Sequence, residues 1–550
     1  MQNRFPESEL RPSQYRDARR NGREGGFNDE SHARRFQISF DHSGSGNSRL
    51  PPGQPVATIP SNLRPSAVLL GLQTRTMNSK HYDLVVIGSG PAGEKGAAQA
   101  AYFGKKVALI EKEPMLGGAA ANTGTLPSKT LRETALYLSG FRKRELYGVN
   151  FTFKDQVTAK DFLYRERQVV ASERARITEN LNRHNVSLFY GKASFCDPHT
   201  LAVEPENATG VLLKADTFLI ATGSHPFHPE IFPFYSPRVY DSDTILNLHD
   251  IPPTMLVAGG GVIGCEYACM FAALGVKVSL VEGRDRLLGF LDAEISQLLA
   301  DSMRAMGIEL HLHDAVEEIV DEDEFTVRLK SGASLTVHTI LAATGRTGNT
   351  GGLGLENLDI TPTKRGCIEV NKHFQTTQPH IYAAGDVVGF PALASTSMEQ
   401  ARVAMVHAYD LKYKTNLAQV LPFGIYTIPE ISMAGETEES LRENNIPYVV
   451  GRARFEDNAR GQIIGEKEGV MKLLFGREDM KLLGVQILGE QASELIHIGL
   501  QAIMLKANAD LFIQTCFNYP TLSELYKYAT YDALGKRAQS SEEEPNPPSP

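Results

Sequence analysis

Two stretches of this chain share one pattern, in which a buried strand runs through a glycine turn into a helix and then into a second strand. The first, "YDLVVIGSGPAGEKGAAQAAYFGKKVALIEKE", spans residues 82–113 and places Gly88, Gly90 and Gly93 at the turn. In such a turn the first glycine permits the bend, the second lets a pyrophosphate approach the backbone, and the third lets helix and strand pack closely. Glu111 ends the second strand, where a carboxylate can accept hydrogen bonds from ribose hydroxyls.

The same pattern returns in "TMLVAGGGVIGCEYACMFAALGVKVSLVEGRDRLL", residues 254–288. Gly259, Gly261 and Gly264 occupy this turn, and Glu282 ends the following strand at the same spacing as in the first unit. A single glycine turn is weak evidence, but two complete units predict two bound nucleotides. They also predict an α/β fold with two Rossmann-like dinucleotide-binding domains.

Three shorter stretches fit this fold. Gly223 in "FLIATGSHP" and Gly345 in "ILAATGRTG" each follow an apolar strand and a Thr. In "TTQPHIYAAGDVVGFPALAS" a strand runs into Gly385 and Asp386. An Asp there, beside a helix that starts near Ala392, can hold a chain of sugar-like hydroxyl groups. We therefore expect these turns to bind the cofactors.

The composition limits the partners and the compartment. Lys and Arg number 56 and Asp and Glu 65, a formal net charge of −9, which does not favour nucleic acid or an acidic membrane surface as a partner. No run of 18 apolar residues occurs, so no membrane span is expected, and we expect no metal site. Five cysteines without a Cys-x-x-Cys pair suit a reducing compartment, and we expect a cytoplasmic protein. Cys265 and Cys269 are expected to be buried small apolar side chains.

The two ends of the chain differ in composition from the rest. Residues 1–76 hold 11 Arg and no Lys, which could indicate an organelle transit peptide. Transit peptides are poor in acidic residues, however, and this segment carries seven. We favour a disordered extension, or sequence upstream of a start at Met77. The C-terminal "AQSSEEEPNPPSP" predicts a disordered tail.

Together these motifs resemble the two-dinucleotide-binding flavoprotein disulfide reductases, such as lipoamide dehydrogenase and glutathione reductase, over residues 82–531. The resemblance implies that the first unit binds FAD and the second a nicotinamide nucleotide. It also implies that Gly385 and Asp386 anchor the flavin ribityl chain. Lys129 is implied to lie near flavin N5 and to pair with Glu266 beside the nicotinamide. A cation there would stabilise the anionic reduced flavin.

The order of the motifs, read with this resemblance, gives the expected domains. One dinucleotide-binding domain is inserted in the other, and an α+β dimerisation domain that implies a homodimer follows. The expected bounds are a disordered extension at 1–77, an FAD-binding domain at 78–230 and 350–420, an NAD(P)-binding domain at 231–349, the dimerisation domain at 421–536 and a disordered tail at 537–550.

One stretch departs from the resembled reductases. "GGAAANTGTLPSK", residues 117–129, keeps the frame around their redox-active cysteine pair, but Ala120 and Thr125 stand at the two cysteine positions. In "CFNYPTLSE", Tyr519 replaces the His that protonates the outgoing thiolate, and a phenol with a pKa near 10 is a poor proton shuttle at neutral pH. Because both elements are missing together, we expect a different electron acceptor.

This combination is similar to the branch of Si-specific soluble pyridine nucleotide transhydrogenases, with matching pieces such as "NTGTLPSK", "GIYTIPEIS" and "FNYPT". That branch often keeps a Cys near Ala120. The resemblance implies hydride transfer between NADPH and NAD⁺ by a ping-pong route through FAD, with Lys129 and Glu266 ordering the flavin edge. The alternatives are an NAD(P)H oxidase or diaphorase, a dihydrolipoamide dehydrogenase-like reductase and a catalytically silent flavoprotein.

The end of the second unit bears on nucleotide preference. A carboxylate at Glu282 accepts hydrogen bonds from both ribose hydroxyls of NAD(H) and repels a 2′-phosphate. Two unit charges at about 4 Å and an effective dielectric near 20 interact by roughly 4 kcal/mol. Arg284 and Arg286 follow, and either could pair with a phosphate, or instead with Asp285 or solvent. We expect good use of NAD(H) and poorer use of NADP(H), through Arg284.

Overall fold

The structure is a computed structural model of the chain, and it describes residues 79–140 and 157–542. The predicted N-terminal extension, residues 1–77, lies outside the described residues, as do residues 543–550 of the predicted tail. Within the described ranges, none of the helices has the length and apolar character needed to cross a membrane.

The strands of the described residues are β1 (Ser79–Ile87), β2 (Val107–Glu111), β3 (Ser187–Tyr190), β4 (Lys192–Asp197), β5 (Thr200–Glu204), β6 (Val211–Ile220), β7 (Ser224–Pro226), β8 (Val239–Tyr240), β9 (Thr254–Ala258), β10 (Lys277–Glu282), β11 (Glu309–Leu312), β12 (Val316–Asp321), β13 (Phe325–Leu329), β14 (Ser334–Val337), β15 (Thr339–Ala342), β16 (Arg346–Gly348), β17 (Ile381–Ala383), β18 (Phe423–Ile425), β19 (Ile431–Gly435), β20 (Tyr448–Arg454), β21 (Val470–Gly476) and β22 (Leu482–Leu488).

The α-helices are α1 (Pro91–Tyr102), α2 (Gly118–Asn122), α3 (Thr125–Ser139), α4 (Ala159–Arg183), α5 (Val262–Ala273), α6 (Ala293–Ala305), α7 (Ala394–Ala408), α8 (Glu438–Glu443), α9 (Ala459–Ile464), α10 (Ala492–Met504), α11 (Asp510–Gln514) and α12 (Leu525–Glu542).

The first sheet has seven strands and carries the first glycine turn. Its order is β3-β2-β1-β6-β5-β4, with β17 also paired to β6. β1 pairs in parallel with β2 and β6, and β17 pairs in parallel with β6, whereas β4, β5 and β6 pair antiparallel. The apolar run of β1 from Leu84 to Ile87 is buried, as expected for a central parallel strand covered on both faces.

The second sheet is entirely parallel, in the order β11-β10-β9-β15-β8. Its strands come from the part of the chain between β6 and β17, so it is inserted within the first unit. The two connecting segments pair with each other as the antiparallel strands β7 and β16. The predicted α/β class, with one dinucleotide-binding unit inserted in another, is confirmed.

The C-terminal sheet is antiparallel, in the order β18-β19-β22-β21-β20. The stretch "GVMKLLFGREDMKLLGVQILG", residues 469–489, predicts a hairpin with a helix after it from about Ala492, and the structure has both, as β21–β22 and α10. α12 packs against β20 and β21 and runs to Glu542, so the tail predicted to be disordered from residue 537 begins with six helical residues. The helix continues because no proline interrupts the chain until Pro545.

Candidate active site

The first glycine turn packs tightly and directs backbone amides outward at the start of α1. Gly88 has φ +100°, and a Cβ there would lie 2.4 Å from the Ala221 carbonyl oxygen. A Cβ on Gly93 would lie 1.9 Å from the Gly88 carbonyl oxygen, so only glycine fits at both places. The N-cap is Gly90, which has no side chain with which to cap the helix, so the free amides of the first turn of α1 are suited to an anion such as a pyrophosphate.

Glu111 is held rigidly at the end of β2. Its Oε2 accepts hydrogen bonds from the Ser89 N–H at 2.9 Å and the Ser89 hydroxyl at 2.6 Å, and its Oε1 accepts from the Glu113 N–H at 3.0 Å. A carboxylate has about four acceptor positions, so capacity remains for a ribose hydroxyl. The predicted role of Glu111 is compatible with this geometry.

The second glycine turn repeats the first. Gly259 has φ +112°, and a Cβ on it would lie 2.4 Å from the Ala343 carbonyl oxygen. A Cβ on Gly264 would lie 1.9 Å from the Gly259 carbonyl oxygen, whereas one on Gly261 would have no atom within 4 Å. Gly261 is also the N-cap of α5, and it has no side chain with which to cap the helix. The space above Gly261 is thus where a second pyrophosphate can approach.

Glu282 and Arg284 form a pair at the end of this unit. Arg284 donates from Nε to Oε1 and from Nη2 to Oε2 of Glu282, both at 2.9 Å. Glu282 also accepts from the Gly260 N–H at 2.6 Å. Burial acts to raise the pKa of Glu282, but the hydrogen bonds from Arg284 and Gly260 outweigh it and lower that pKa below its ordinary value. From the sequence, the expected partner of Arg284 is a phosphate, Asp285 or solvent. The partner in the structure, Glu282, was not predicted.

The Gly385–Asp386 turn lies beside the first glycine turn. Gly385 has φ +86°, and a Cβ there would be 3.2 Å from the Cβ of Ala92, in the first turn of α1. Asp386 accepts a hydrogen bond from the Ser224 hydroxyl at 2.8 Å, and Arg346 donates from Nε to the same hydroxyl at 2.8 Å. A cavity of about 400 Å³ is lined by these three side chains, among others. An Asp in this place can accept from the hydroxyl chain of a cofactor.

Gly223 and Gly345, the glycines of the two Thr-Gly turns, both have positive φ, at +70° and +125°. Their carbonyl oxygens accept from the N–H groups of Asn349 and Phe227, each at 2.9 Å. They therefore fix the two connecting segments, β7 and β16, between the two sheets.

Lys129 and Glu266 meet between α3 and α5, although 137 residues separate them in the chain. Lys129 Nζ donates to Oε1 at 2.8 Å and to Oε2 at 2.7 Å. The Glu266 side chain is only 3% exposed, whereas that of Lys129 is 26% exposed. The carboxylate is thus buried against a cation that keeps one open side, and the pairing implied by the resemblance is present.

The nearby cysteines cannot stand in for the missing thiol pair. Cys265 and Cys269 are buried in α5, and their thiols lie near the carbonyl oxygens of Gly260 and Ile428 respectively. Burial raises the pKa of Cys265 well above its usual value and that of Cys269 to about 12. Both thiols are therefore protonated at neutral pH, as expected for structural rather than reactive cysteines.

Tyr426 completes the site and was not singled out from the sequence. Its backbone N–H donates to Glu266 Oε1 at 2.9 Å, and its ring centre lies 5.0 Å from Lys129 Nζ. It follows a strand of three residues, so no periodicity marks it. Tyr519, by contrast, is 75% exposed on this chain.

Comparison with known proteins agrees with this geometry. The family model described as pyridine nucleotide-disulphide oxidoreductase matches residues 82–408, and the model of the dimerisation domain of the same family matches residues 421–530. A soluble pyridine nucleotide transhydrogenase of Mycobacterium tuberculosis is 45% identical over 459 residues, which cover 83% of this chain and 98% of that protein. One of Chromohalobacter salexigens is 43% identical over 466 residues, covering 83% and 99%.

Solved structures show the same architecture. The HOCl-induced flavoprotein disulfide reductase RclA of Escherichia coli superposes with a TM-score of 0.74 at 28% identity, covering 82% of this chain and 99% of RclA. LpdA of Mycobacterium tuberculosis gives a TM-score of 0.75 at 25% identity, covering 82% and 99%. The chain belongs to the pyridine nucleotide-disulphide oxidoreductase family and, within it, is similar to the soluble pyridine nucleotide transhydrogenases.

Proposed function

We propose that this chain transfers a hydride between NADPH and NAD⁺ with FAD as its cofactor. The observation that carries the proposal is the pairing of Lys129 with Glu266 beside a frame in which Ala120 and Thr125 supply no thiol. The Lys129–Glu266 pair that would order a flavin edge is present, while the two cysteines that would reduce a disulfide are absent at positions 120 and 125. The names of the relatives at 42–45% identity support the same reaction.

FAD would be held by the first unit. The uncapped start of α1 at Gly90 takes the pyrophosphate, Glu111 the ribose, and Asp386 the ribityl chain. When bound, the flavin would supply a two-electron store for hydride exchange between the two nucleotides. Lys129 supplies a cation near the flavin, and Glu266 orients that cation.

The nicotinamide nucleotide would be held by the second unit, above Gly261 at the start of α5. Glu282 can accept from both adenosine ribose hydroxyls of NAD(H). Arg284 neutralises that carboxylate and, with its side chain 55% exposed, can turn to pair with the 2′-phosphate of NADP(H). One pocket can thus admit both nucleotides in turn, as a ping-pong route requires.

The assembly proposed is a homodimer built on the C-terminal sheet, since the match to the dimerisation domain spans residues 421–530. Tyr519 of one subunit would then line the flavin site of the other, as packing rather than as an acid. We propose that the reaction takes place in the cytoplasm, in keeping with five free cysteines. Neither nucleic acid nor a membrane is needed as a partner.

The test is an anaerobic assay of hydride transfer from NADPH to NAD⁺ by the purified chain, with oxygen uptake and reduction of lipoamide measured on the same preparation. We expect transfer without added thiol substrate. Oxygen uptake that matches NADPH consumption in air, without transfer to NAD⁺, would instead indicate an NAD(P)H oxidase. Lipoamide reduction would indicate a dehydrogenase of that class, and no turnover at all would indicate a silent flavoprotein.

A further inference from the structure

The segment "YTIPE", residues 426–430, contacts both α3 and α5 near the Lys129–Glu266 pair. From α3, Arg132 donates from Nε to the Thr427 carbonyl oxygen at 3.0 Å. The same guanidinium lies 3.2 Å from Glu430, between its Nη1 and Oε1 atoms. Arg132 is only 2% exposed, so this contact is a buried attachment of the segment to α3.

The segment is attached to α5 as well. The Tyr426 N–H donates to Glu266 Oε1 at 2.9 Å, and Cys269, one turn further along the helix, lies with Sγ 3.9 Å from the Ile428 carbonyl oxygen. Residues one turn apart on each helix therefore contact the same short segment. The position of Tyr426 is fixed from both sides by groups that do not depend on a bound cofactor.

The ring of Tyr426 lies beside the Lys129 ammonium. Its centre is 5.0 Å from Nζ, within the range of about 6 Å for attraction between a cation and an aromatic ring. On its other sides the ammonium contacts Glu266 at 2.7 Å and the Ser128 hydroxyl at 3.3 Å. Burial raises the pKa of the Tyr426 phenol, with Ser493 acting in the opposite direction through a hydrogen bond, so the ring stays neutral at pH 7.

We propose that Tyr426 is a positioning residue for hydride transfer, whose backbone N–H holds Glu266 and whose ring holds the Lys129 ammonium. The role in hydride transfer rests on the function proposed above, whereas the contact of the Tyr426 ring with the Lys129 ammonium does not. Lysine has a flexible four-carbon stem and three donors that rotate freely. Without the ring, the ammonium gains freedom and hydration on that side, and its orientation toward the cofactors is lost.

The experiment compares the wild type with Tyr426→Leu and Tyr426→Phe by trace acetylation with acetic anhydride, followed by mass spectrometry of peptides. The measured quantity is the rate at which Lys129 reacts, relative to Lys105 in the same sample. Lys105 is a matched internal reference, because its Nζ lies 4.7 Å from the ring centre of Tyr409, away from this site. We expect Tyr426→Leu to raise the relative rate about 5-fold and Tyr426→Phe, which keeps the ring, to stay within about 2-fold of wild type.

A second readout is the split between kcat and KM in NADPH to NAD⁺ transfer. Tyr426→Leu should lower kcat about 10-fold and change either KM by less than about 2-fold, because nucleotide binding at Gly261 and Glu282 is left intact. Tyr426→Phe, which keeps the ring, should have a kcat close to that of the wild type. A purely structural role would lower the melting temperature without this split, and Tyr426→Met, which fills a similar volume without an aromatic face, replaces Tyr426→Leu if that variant does not fold.

An unchanged relative rate for Lys129 in a folded Tyr426→Leu or Tyr426→Met protein overturns the proposal. Failure of the proposed function is a separate result, since a wild type that transfers no hydride would leave the acetylation experiment fully informative about Tyr426.

Discussion

At the scale of single residues, the pair of Glu282 and Arg284 is, under the proposed function, what sets which nucleotide the second unit admits. Alone, the carboxylate would favour NAD(H) and repel a 2′-phosphate. The bidentate bond with Arg284 offsets that charge, and the guanidinium that makes it is half-exposed. If Arg284 exchanges Glu282 for a 2′-phosphate, as the proposed function requires, neither nucleotide is excluded.

We predict that Arg284→Ala lowers kcat/KM for NADPH about 10- to 100-fold, the loss of one charge-assisted interaction, while NADH changes little. Glu282→Ala should raise kcat/KM for NADPH relative to NADH, because it removes the repulsion and frees Arg284. The measurement is steady-state kinetics with each nucleotide. Arg286→Ala is the matched control, since Arg286 donates to the Gly289 carbonyl oxygen instead. Equal losses for NADPH and NADH in Arg284→Ala would contradict the phosphate assignment.

The cysteines give a second prediction at this scale. A thiol reagent at pH 8 should label about three thiols in the native protein and five after denaturation, since Cys196 and Cys516 are exposed and Cys367 is partly exposed. Cys265 and Cys269 should stay unlabelled in the folded state because burial raises the pKa of both thiols. Five thiols labelled rapidly in native protein would show that α5 is not packed as described.

A third prediction concerns the number of electrons that the protein accepts. Because Ala120 and Thr125 supply no thiolate, anaerobic titration of the holoprotein should consume two electrons per flavin and give no long-wavelength charge-transfer band. Ala120→Cys combined with Thr125→Cys is the matched variant, designed to restore the cysteine frame. Uptake of four electrons by the wild type would mean that another cysteine reaches the flavin.

At the scale of elements, each glycine turn separates two tasks, the packing of helix on strand and the approach of a ligand. The third glycine of the turn serves packing, since a Cβ on Gly264 would overlap the Gly259 carbonyl oxygen at 1.9 Å. The second leaves room for a ligand, since Gly261 has extended backbone, with φ −80° and ψ −175°, and no atom lies within 4 Å of a Cβ placed on it. Single substitutions can therefore separate the effect on helix–strand packing from the effect on ligand binding.

We predict that Gly261→Ala leaves the melting temperature of the nucleotide-free protein within about 1 °C of wild type, because alanine adopts this backbone without strain. Its KM for both nucleotides should rise about 10-fold or more, since a methyl group would occupy the path of the pyrophosphate. Gly264→Ala is the opposite case and should lower the melting temperature by several degrees. Calorimetry and kinetics on both variants check this, and a stable Gly264→Ala protein would contradict the packing argument.

At the scale of the whole molecule, a buried cation joins the second parallel sheet unit to the C-terminal sheet. Lys472 of β21, 1% exposed, contacts Asp292 at 2.8 Å and Glu294 at 2.7 Å at the start of α6, and Glu438 of α8 at 2.5 Å. The three carboxylates are close enough to hold a metal ion, but the Lys472 ammonium already lies among them. Arg452 adds two hydrogen bonds to Glu294, at 2.8 and 2.7 Å. Charge pairing thus ties the two units together.

The cluster predicts a pH dependence of stability. The hydrogen bonds from Arg452, opposed by burial and helped by Lys472, lower the pKa of Glu294 from 4.5 to about 2. A carboxyl whose pKa is depressed on folding stabilises the folded state above its unfolded pKa, and that contribution is lost as the pH falls from about 4.5 toward 2. We expect Glu294→Gln to melt about 2 to 5 °C below wild type at pH 7, with the gap narrowing as the pH falls below about 4.5 and closing only near pH 2.

The control for this prediction lies on the same helix. Asp301 pairs with Arg304 at the surface and is 58% exposed, so Asp301→Asn should shift the melting temperature by less than about 1 °C at every pH in the range measured. Thermal melts across pH 3 to 7 provide the measurement. A constant gap between Glu294→Gln and wild type over that range would show that Glu294 does not titrate as argued.

The two glycine turns, the parallel strands around them and the C-terminal hairpin can be predicted without coordinates, because they depend on backbone sterics and apolar patterns within a few tens of residues. The sequence also shows that the cysteine frame is empty at Ala120 and Thr125. Three features are visible only in the folded chain: the bond between Glu282 and Arg284, the place of Tyr426 and the cluster around Lys472. Glu282 and Arg284 are neighbours in the chain, but the Gly260 N–H, 22 residues away, holds the carboxylate that Arg284 meets. The other two depend on how finished elements pack, because side chains as far apart in the chain as Lys472 and Asp292, 180 residues, carry no local signal of their meeting.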